Sequence, residues 1–177
     1  DQVLFYETGQ FATLWKQMAD RLGIVTEFVN GDWRNGVDAN RIEERLRKDT
    51  KHAIKAVCCV HHETSCGITS DIASVRQAID AIDHPALLMV DSISGLASVD
   101  YEHDAWGADV TVSGSQKGLM MPSGLGFNAL SERAIDAAKR GGSKRSYWDW
   151  HDMLASNESG YFPYTPATTL LYGLKEA

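Results

Sequence analysis

Residues 86–127 read ALLMVDSISGLASVDYEHDAWGADVTVSGSQKGLMMPSGLGF, and the fold turns on this stretch. Ala86 to Asp91 is an apolar run that ends in a carboxylate. A short apolar run closed by Asp-Ser and then Gly95 predicts a strand buried on both faces of a parallel sheet. Asp91 then stands at the carboxyl end of that strand, the edge at which open α/β sheets bind ligands. A second run, Ala108 to Val112, is rich in valine and threonine and leads into Ser113-Gly114-Ser115-Gln116-Lys117-Gly118. Lys117 is therefore expected to leave a neighbouring strand end.

Most loop aspartates and lysines are simply solvated, and a pair this far apart in sequence is more often surface charge than chemistry. Two features point the other way. Small residues crowd Lys117, as where a flat ligand needs close approach of the backbone. Its apolar flanks also predict an amine partly withdrawn from water, which favours the nucleophilic form. A buried aspartate needs a cationic or hydrogen-bonding partner. Pyridoxal 5'-phosphate (PLP) meets both needs, with its aldehyde at Lys117 and its protonated ring nitrogen at Asp91.

The segments HHETSCG (61–67), LMVDSISGLAS (88–98) and SGSQKG (113–118) resemble those of the class V aminotransferases, PLP enzymes, and most closely the serine-glyoxylate and alanine-glyoxylate branch. The similarity runs from VLFYETGQFATLW (3–15) to PYTPATTLLYGL (163–174), essentially the whole chain. VDS followed by SGSQK is specific, whereas either half alone is weak. The resemblance implies a three-layer α/β/α architecture around a mostly parallel sheet, the large domain of a fold-type-I PLP-dependent transferase. It implies transamination from serine or alanine to glyoxylate, with Lys117 holding the cofactor and shuttling a proton while Asp91 keeps the ring nitrogen protonated. It also implies cofactor contacts from Phe11 stacking on the ring, Ile93 behind it, Thr64, and Gln116 at the phosphate. Thr165 matches a residue that binds the phosphate in a neighbouring subunit, so a homodimer with shared sites is expected. A tyrosine just upstream acts likewise, and Tyr161 and Tyr164 both stand near its place.

The whole chain sets wider bounds. Its 177 residues suffice for one domain with a real core. A formal net charge of -7 argues against a nucleic-acid or anionic-membrane partner. No apolar run approaches the length of a membrane span, and the first residues lack a signal-peptide layout. Three cysteines, two of them adjacent, suit a reducing compartment; a cytoplasmic protein is expected, or an organellar one in a eukaryote. The chain opens directly into a strand and closes inside a helix, which suggests a fragment of the large domain lacking an N-terminal segment and the C-terminal small domain.

Along the chain, Val3 to Tyr6 predicts a strand, followed by a helix over Gln10 to Leu22 with Phe11, Leu14, Trp15, Met18 and Leu22 at helical spacing. An aromatic residue there is ordinarily core; the family resemblance alone moves Phe11 to the ligand. Strands are expected over Ile24 to Val29 and Ala53 to Val60, and helices from Asp38 to Arg47 and over Ile72 to Ile82, the latter capped by Asp71. An antiparallel return strand is expected over Leu125 to Leu130, then a helix from Ser131 to Lys139, a loop over Arg140 to Ser143 and a closing helix over Thr168 to Ala177.

Competing readings fail on spacing. Cys58, Cys59, His61, His62 and Cys66 lie close together, as a zinc site requires. Consecutive Cys58 and Cys59 point to opposite faces of a strand, and no second CxxC or HxxxH completes four ligands. The GSQKG segment lacks the GxxxxGK[ST] pattern of an ATPase. Sulfur removal from cysteine, another class V activity, needs a mobile cysteine, and Cys58, Cys59 and Cys66 are expected to be buried or badly placed. A catalytically incomplete folding unit is the remaining alternative.

Overall fold

The computed structural model describes residues 1–142 and 144–177, so the expected loop from Arg140 has its last member, Ser143, outside the described residues. One sheet carries six strands in the order β2-β1-β3-β6-β7-β8. They are β1 (Gln2–Tyr6), β2 (Thr26–Val29), β3 (Ile54–Val60), β6 (Leu87–Asp91), β7 (Val110–Gly114) and β8 (Gly126–Leu130). All neighbours are parallel except β8, which returns antiparallel on β7. A short hairpin, β4 (His62–Glu63) with β5 (Ile68–Thr69), follows β3. The helices are α1 (Gln10–Arg21), α2 (Ala39–Arg47), α3 (Ile72–Asp80), α4 (Glu132–Arg140), α5 (Trp150–Glu158) and α6 (Thr168–Glu176). Asp38, Asp71 and Ser131 cap α2, α3 and α4 by accepting from backbone N–H groups of the first turn. No helix among the described residues is long and apolar enough to cross a membrane.

The main core lies on one face of the sheet, where Ile42 and Leu46 of α2 and Ile72, Val75 and Ile79 of α3 meet Leu4, Val57, Leu88 and Val90. On the other face α1 sets Ala19 and Trp15 against Phe5, Cys58 and Met89. Helices thus flank the sheet on both sides, as the α/β/α reading requires. One expectation needs correction. The central strand is not buried on both faces: Leu88 and Val90 are buried, while Leu87, Met89 and Asp91 are half-buried. On the side of α1 the buried residues are Ala12 and Ala19, with Trp15 partly buried beside them, while Phe11, Leu14, Met18 and Leu22 stand exposed at the rim.

Three loops meet at the carboxyl edge of β3, β6 and β7. His61 N donates to Asp91 O and Ser92 N donates to Val112 O, each at 2.9 Å, carrying the ladder one step past the strands. Behind Asp91 the His61 ring is buried against Tyr101 and Trp106, with ring centroids 4.8 and 5.6 Å away. Tyr101 OH and His103 Nδ1 both meet Thr111 Oγ1, at 2.5 and 2.7 Å. The connecting segment after Val99 thus seals the core behind the strand ends. Burial, reinforced by the charge of His62, pushes the His61 imidazole down to about 4. The loop after β7 docks on the loop after β6 so tightly that a Cβ on Gly118 would lie 2.2 Å from Leu96 O and 2.6 Å from Ser98 Oγ. That clamp ties the lysine-bearing loop to the Asp91 loop.

Two expected outcomes follow from this edge. Between pH 6.5 and about 4 the unfolded chain binds a proton that folded His61 refuses, so stability falls as pH drops through that window. Denaturant midpoints recorded across that range should decline, and less steeply in His61→Gln than in wild type. Gly118→Ala should cost about 1–3 kcal/mol through overpacking, seen as a lower midpoint at unchanged m-value.

Candidate active site

Between α1 and the ends of β6 and β7 lies an open cavity of about 260 Å³ lined by Phe11, Leu14, Trp15, Met18, Asp91 and Val112. Its wall is the exposed face of α1, and its floor is the end of β6 and β7. Sequence and structure agree on one point of placement here: Phe11 and Asp91 face the same space. The Asp91 carboxylate accepts from Ile93 N at 2.8 Å. Burial pushes its carboxyl above the ordinary range, and the charge of Glu63 adds to this; the Ile93 N–H and the charge of Lys117 pull it back. A half-dry carboxylate of this kind favours a cationic N–H partner.

Lys117 follows β7 and its ammonium charge is felt at Asp91, with no direct ion pair between them among the described residues. Its side chain is exposed, which corrects the expectation of an amine withdrawn from water: Val110 before it is buried in the sheet, and Met120 after it is itself exposed to solvent. Ile93 and Gln116 converge on Gly114. A Cβ there would lie 2.9 Å from Gln116 Oε1 and 3.6 Å from Ile93 Cδ1, so a side chain at 114 would crowd both. Thr64 Oγ1 and Ser94 Oγ share a hydrogen bond of 2.5 Å and join the hairpin loop to the Asp91 loop.

Thr165 is exposed between α5 and α6, and no hydrogen bond among the described residues links it to Asp91 or Lys117. Its segment reaches the lysine loop through α6, where a Cβ on Gly124 would meet Leu170 Cδ1 at 2.6 Å. Tyr164 is held in an aromatic cluster with Tyr147 and Trp148, centroids 4.6 and 5.4 Å away, while Tyr161 is exposed. Of the thiols, Cys58 and Cys59 are buried and pushed up by burial, Cys59 to about 12. Cys66 is exposed in the hairpin turn, and its Sγ donates to Thr8 O at 3.3 Å. Among the described residues no group of three or more His, Cys, Asp or Glu side chains is arranged to hold a metal ion.

One residue that sequence reasoning passed over is central. Glu63 is fully buried and accepts from Phe11 N and Ala12 N, each at 3.2 Å. Nothing local marks it, because the helix it serves begins far earlier in the chain.

The family model described as "Aminotransferase class-V" matches residues 1–177. A serine-glyoxylate aminotransferase from Hyphomicrobium methylovorum is 48% identical over 99% of this chain and 44% of its own length. Another from Methylorubrum extorquens is 48% identical over 100% of this chain and 45% of its own. The crystal structure of an alanine-glyoxylate aminotransferase from Nostoc sp. superposes with a TM-score of 0.87 at 28% identity, covering 99% of this chain and 46% of that one. The chain therefore spans less than half the length of these relatives. With a family match along its full length and strand ends that bring the VDS and SGSQK segments together, this chain belongs to the class V aminotransferases.

Proposed function

We propose that the protein carrying this chain is a PLP-dependent transaminase that moves the amino group of serine or alanine to glyoxylate. The observation that carries this reading is the cavity shared by Phe11 on its wall and Asp91 on its floor, with the Lys117 loop held at Gly118 against Leu96 and Ser98 of the loop that follows Asp91. The relatives' names supply the substrates, since glyoxylate recurs in all three while the donor is serine or alanine.

The residues present fit the cofactor. A half-buried carboxylate that accepts one backbone N–H suits a protonated heteroaromatic nitrogen, and an apolar wall beside it suits a flat ring. Bound there, PLP would supply an electron-withdrawing ring that takes up the charge left when a substrate Cα–H bond breaks. On this reading Asp91 holds a proton at the ring nitrogen, which is the electrostatic part of the catalysis. Lys117 Nζ would hold the cofactor and, once the substrate's amine displaces it there and frees it, would accept and return the substrate α-proton as general base and acid. Phe11 and Ile93 would hold the ring by packing, while Thr64 and Gln116 would offer hydrogen bonds to the cofactor and its phosphate. Thr165, exposed here, would serve the phosphate of a partner subunit in a homodimer, together with Tyr161 or Tyr164.

Borohydride treatment of the cofactor-loaded protein, followed by peptide mapping, should place the reduced adduct on Lys117. An adduct on another lysine, or none, would remove the reading. Lys117→Ala should lower serine-glyoxylate turnover by roughly a hundredfold to ten-thousandfold, with loss of the bound-cofactor absorbance. Asp91→Asn should slow the proton-transfer step by roughly a hundredfold or more; unchanged single-turnover rates would make that carboxylate structural.

A further inference from the structure

We propose that Glu63 is a positioning residue whose buried carboxylate pins the first turn of α1 and thereby fixes where Phe11 stands over Asp91. The inference rests on the cofactor reading above and assigns to this chain a group that acts on the pocket without entering it.

An α-helix begins with backbone N–H groups that have no partner within the helix, and a serine, threonine or aspartate at the N-cap usually serves them. The N-cap of α1 is Gly9, which has no side chain to offer. The missing acceptors come instead from the hairpin after β3. Glu63 Oε1 accepts from Phe11 N and Glu63 Oε2 from Ala12 N, each at 3.2 Å, and Ser65 Oγ accepts from Gln10 N at 3.0 Å. Ser65 then donates to Glu63 Oε1 from its hydroxyl at 2.7 Å and its backbone N–H at 3.2 Å. The carboxylate is therefore fully buried yet bonded at both oxygens, the condition for tolerating a charge away from water.

The glycine is part of the device. A Cβ at position 9 would lie 2.5 Å from both Glu63 Cγ and Ser65 Oγ, so any other residue would expel the carboxylate from the helix end. A local cap would satisfy the same N–H groups but would leave the helix start unattached to the neighbouring strand. The imported cap bolts it to the β3 edge, next to β6. This matters because the buried face of α1 is alanine, which supplies no large side chain to lock the helix start, while Trp15 against Phe5 anchors only its middle. Phe11, whose own N–H is one of the bonded groups, lines the cavity whose floor is Asp91.

The test is a double-mutant cycle read as PLP affinity, by equilibrium titration of the apoprotein. Glu63→Gln keeps the length of the side chain but turns an amide NH₂ toward a backbone donor. It should weaken PLP about tenfold and speed amide exchange at Phe11 and Ala12. Phe11→Ala should weaken binding by a similar factor, and the double variant should be no weaker than Phe11→Ala within about twofold, because Glu63 acts through Phe11. A core variant on the other face, Ile79→Val, should lower thermal stability and leave PLP affinity unchanged. If Glu63→Gln does not fold, Ser65→Ala, which keeps the carboxylate, should weaken binding in the same direction by about threefold. Additive losses in the cycle, or a folded Glu63→Gln or Ser65→Ala protein with wild-type affinity, would overturn the inference while leaving the cofactor reading intact. A wild-type protein that binds no PLP would overturn both.

Discussion

A carboxylate held half out of water at the end of β6 is the constraint that the surrounding architecture serves. Burial raises the cost of its charge, and the fold answers with one backbone N–H, from Ile93, and the field of a lysine rather than with a full set of donors. A parallel sheet makes this possible. β3, β6 and β7 are neighbours and all deliver their carboxyl ends to one edge, so three loops meet there without any long detour of the chain. Stability is supplied away from that edge, by the aliphatic face under α2 and α3 and by the aromatic packing of His61, Tyr101 and Trp106 behind Asp91. The pocket itself contributes little to packing, which leaves its residues open to chemistry.

The parts legible in the sequence were those governed by local rules. An apolar run closed by an aspartate reads as a strand ending at Asp91, and the valine-rich run before Ser113 reads as its neighbour; both stand where the periodicity puts them, within a residue or two. Asp71 and Ser131 declare themselves as caps by their position before an apolar-periodic segment. What escaped was set by contacts between distant segments. Glu63 caps a helix that begins more than fifty residues earlier, and no spacing rule connects the two. A stripe at helical spacing says which residues share a face, not whether anything covers that face, so the exposure of Phe11, Leu14 and Met18 was not legible. Ala19, silent in an amphipathic plot, meets the sheet together with Trp15. The short hairpin after β3 and the helix α5 carry too few apolar residues in register to announce themselves.

That arrangement of α1 has a consequence for the pocket. A helix packed through large side chains would have filled the space beside Asp91. With alanines buried near its two ends and Trp15 on Phe5 at its middle, it holds Phe11 and Leu14 at the rim, where they make a wall instead of a plug. The clamp at Gly118 works to the same end on the opposite side: the lysine loop is drawn against Leu96 and Ser98, so the amine is carried on a braced segment even though the side chain itself is solvated. Wall and brace both rest on small residues, two alanines in the one and Gly118 in the other.

The separation of Asp91 from Lys117 completes the picture. Had the two formed a direct ion pair, each would have satisfied the other: the amine would be held as ammonium and the carboxylate would need no ligand. The charge of Lys117 instead reaches Asp91 as a field that lowers its carboxyl without a bond. A flat pyridine ring has its nitrogen and its aldehyde-bearing carbon at opposite ends, so groups meant for those ends must share a pocket and yet stay out of each other's reach. On the proposed reading, the ligand then bridges a gap that the protein alone leaves open, and Asp91 gains on binding the cationic partner that the fold denies it.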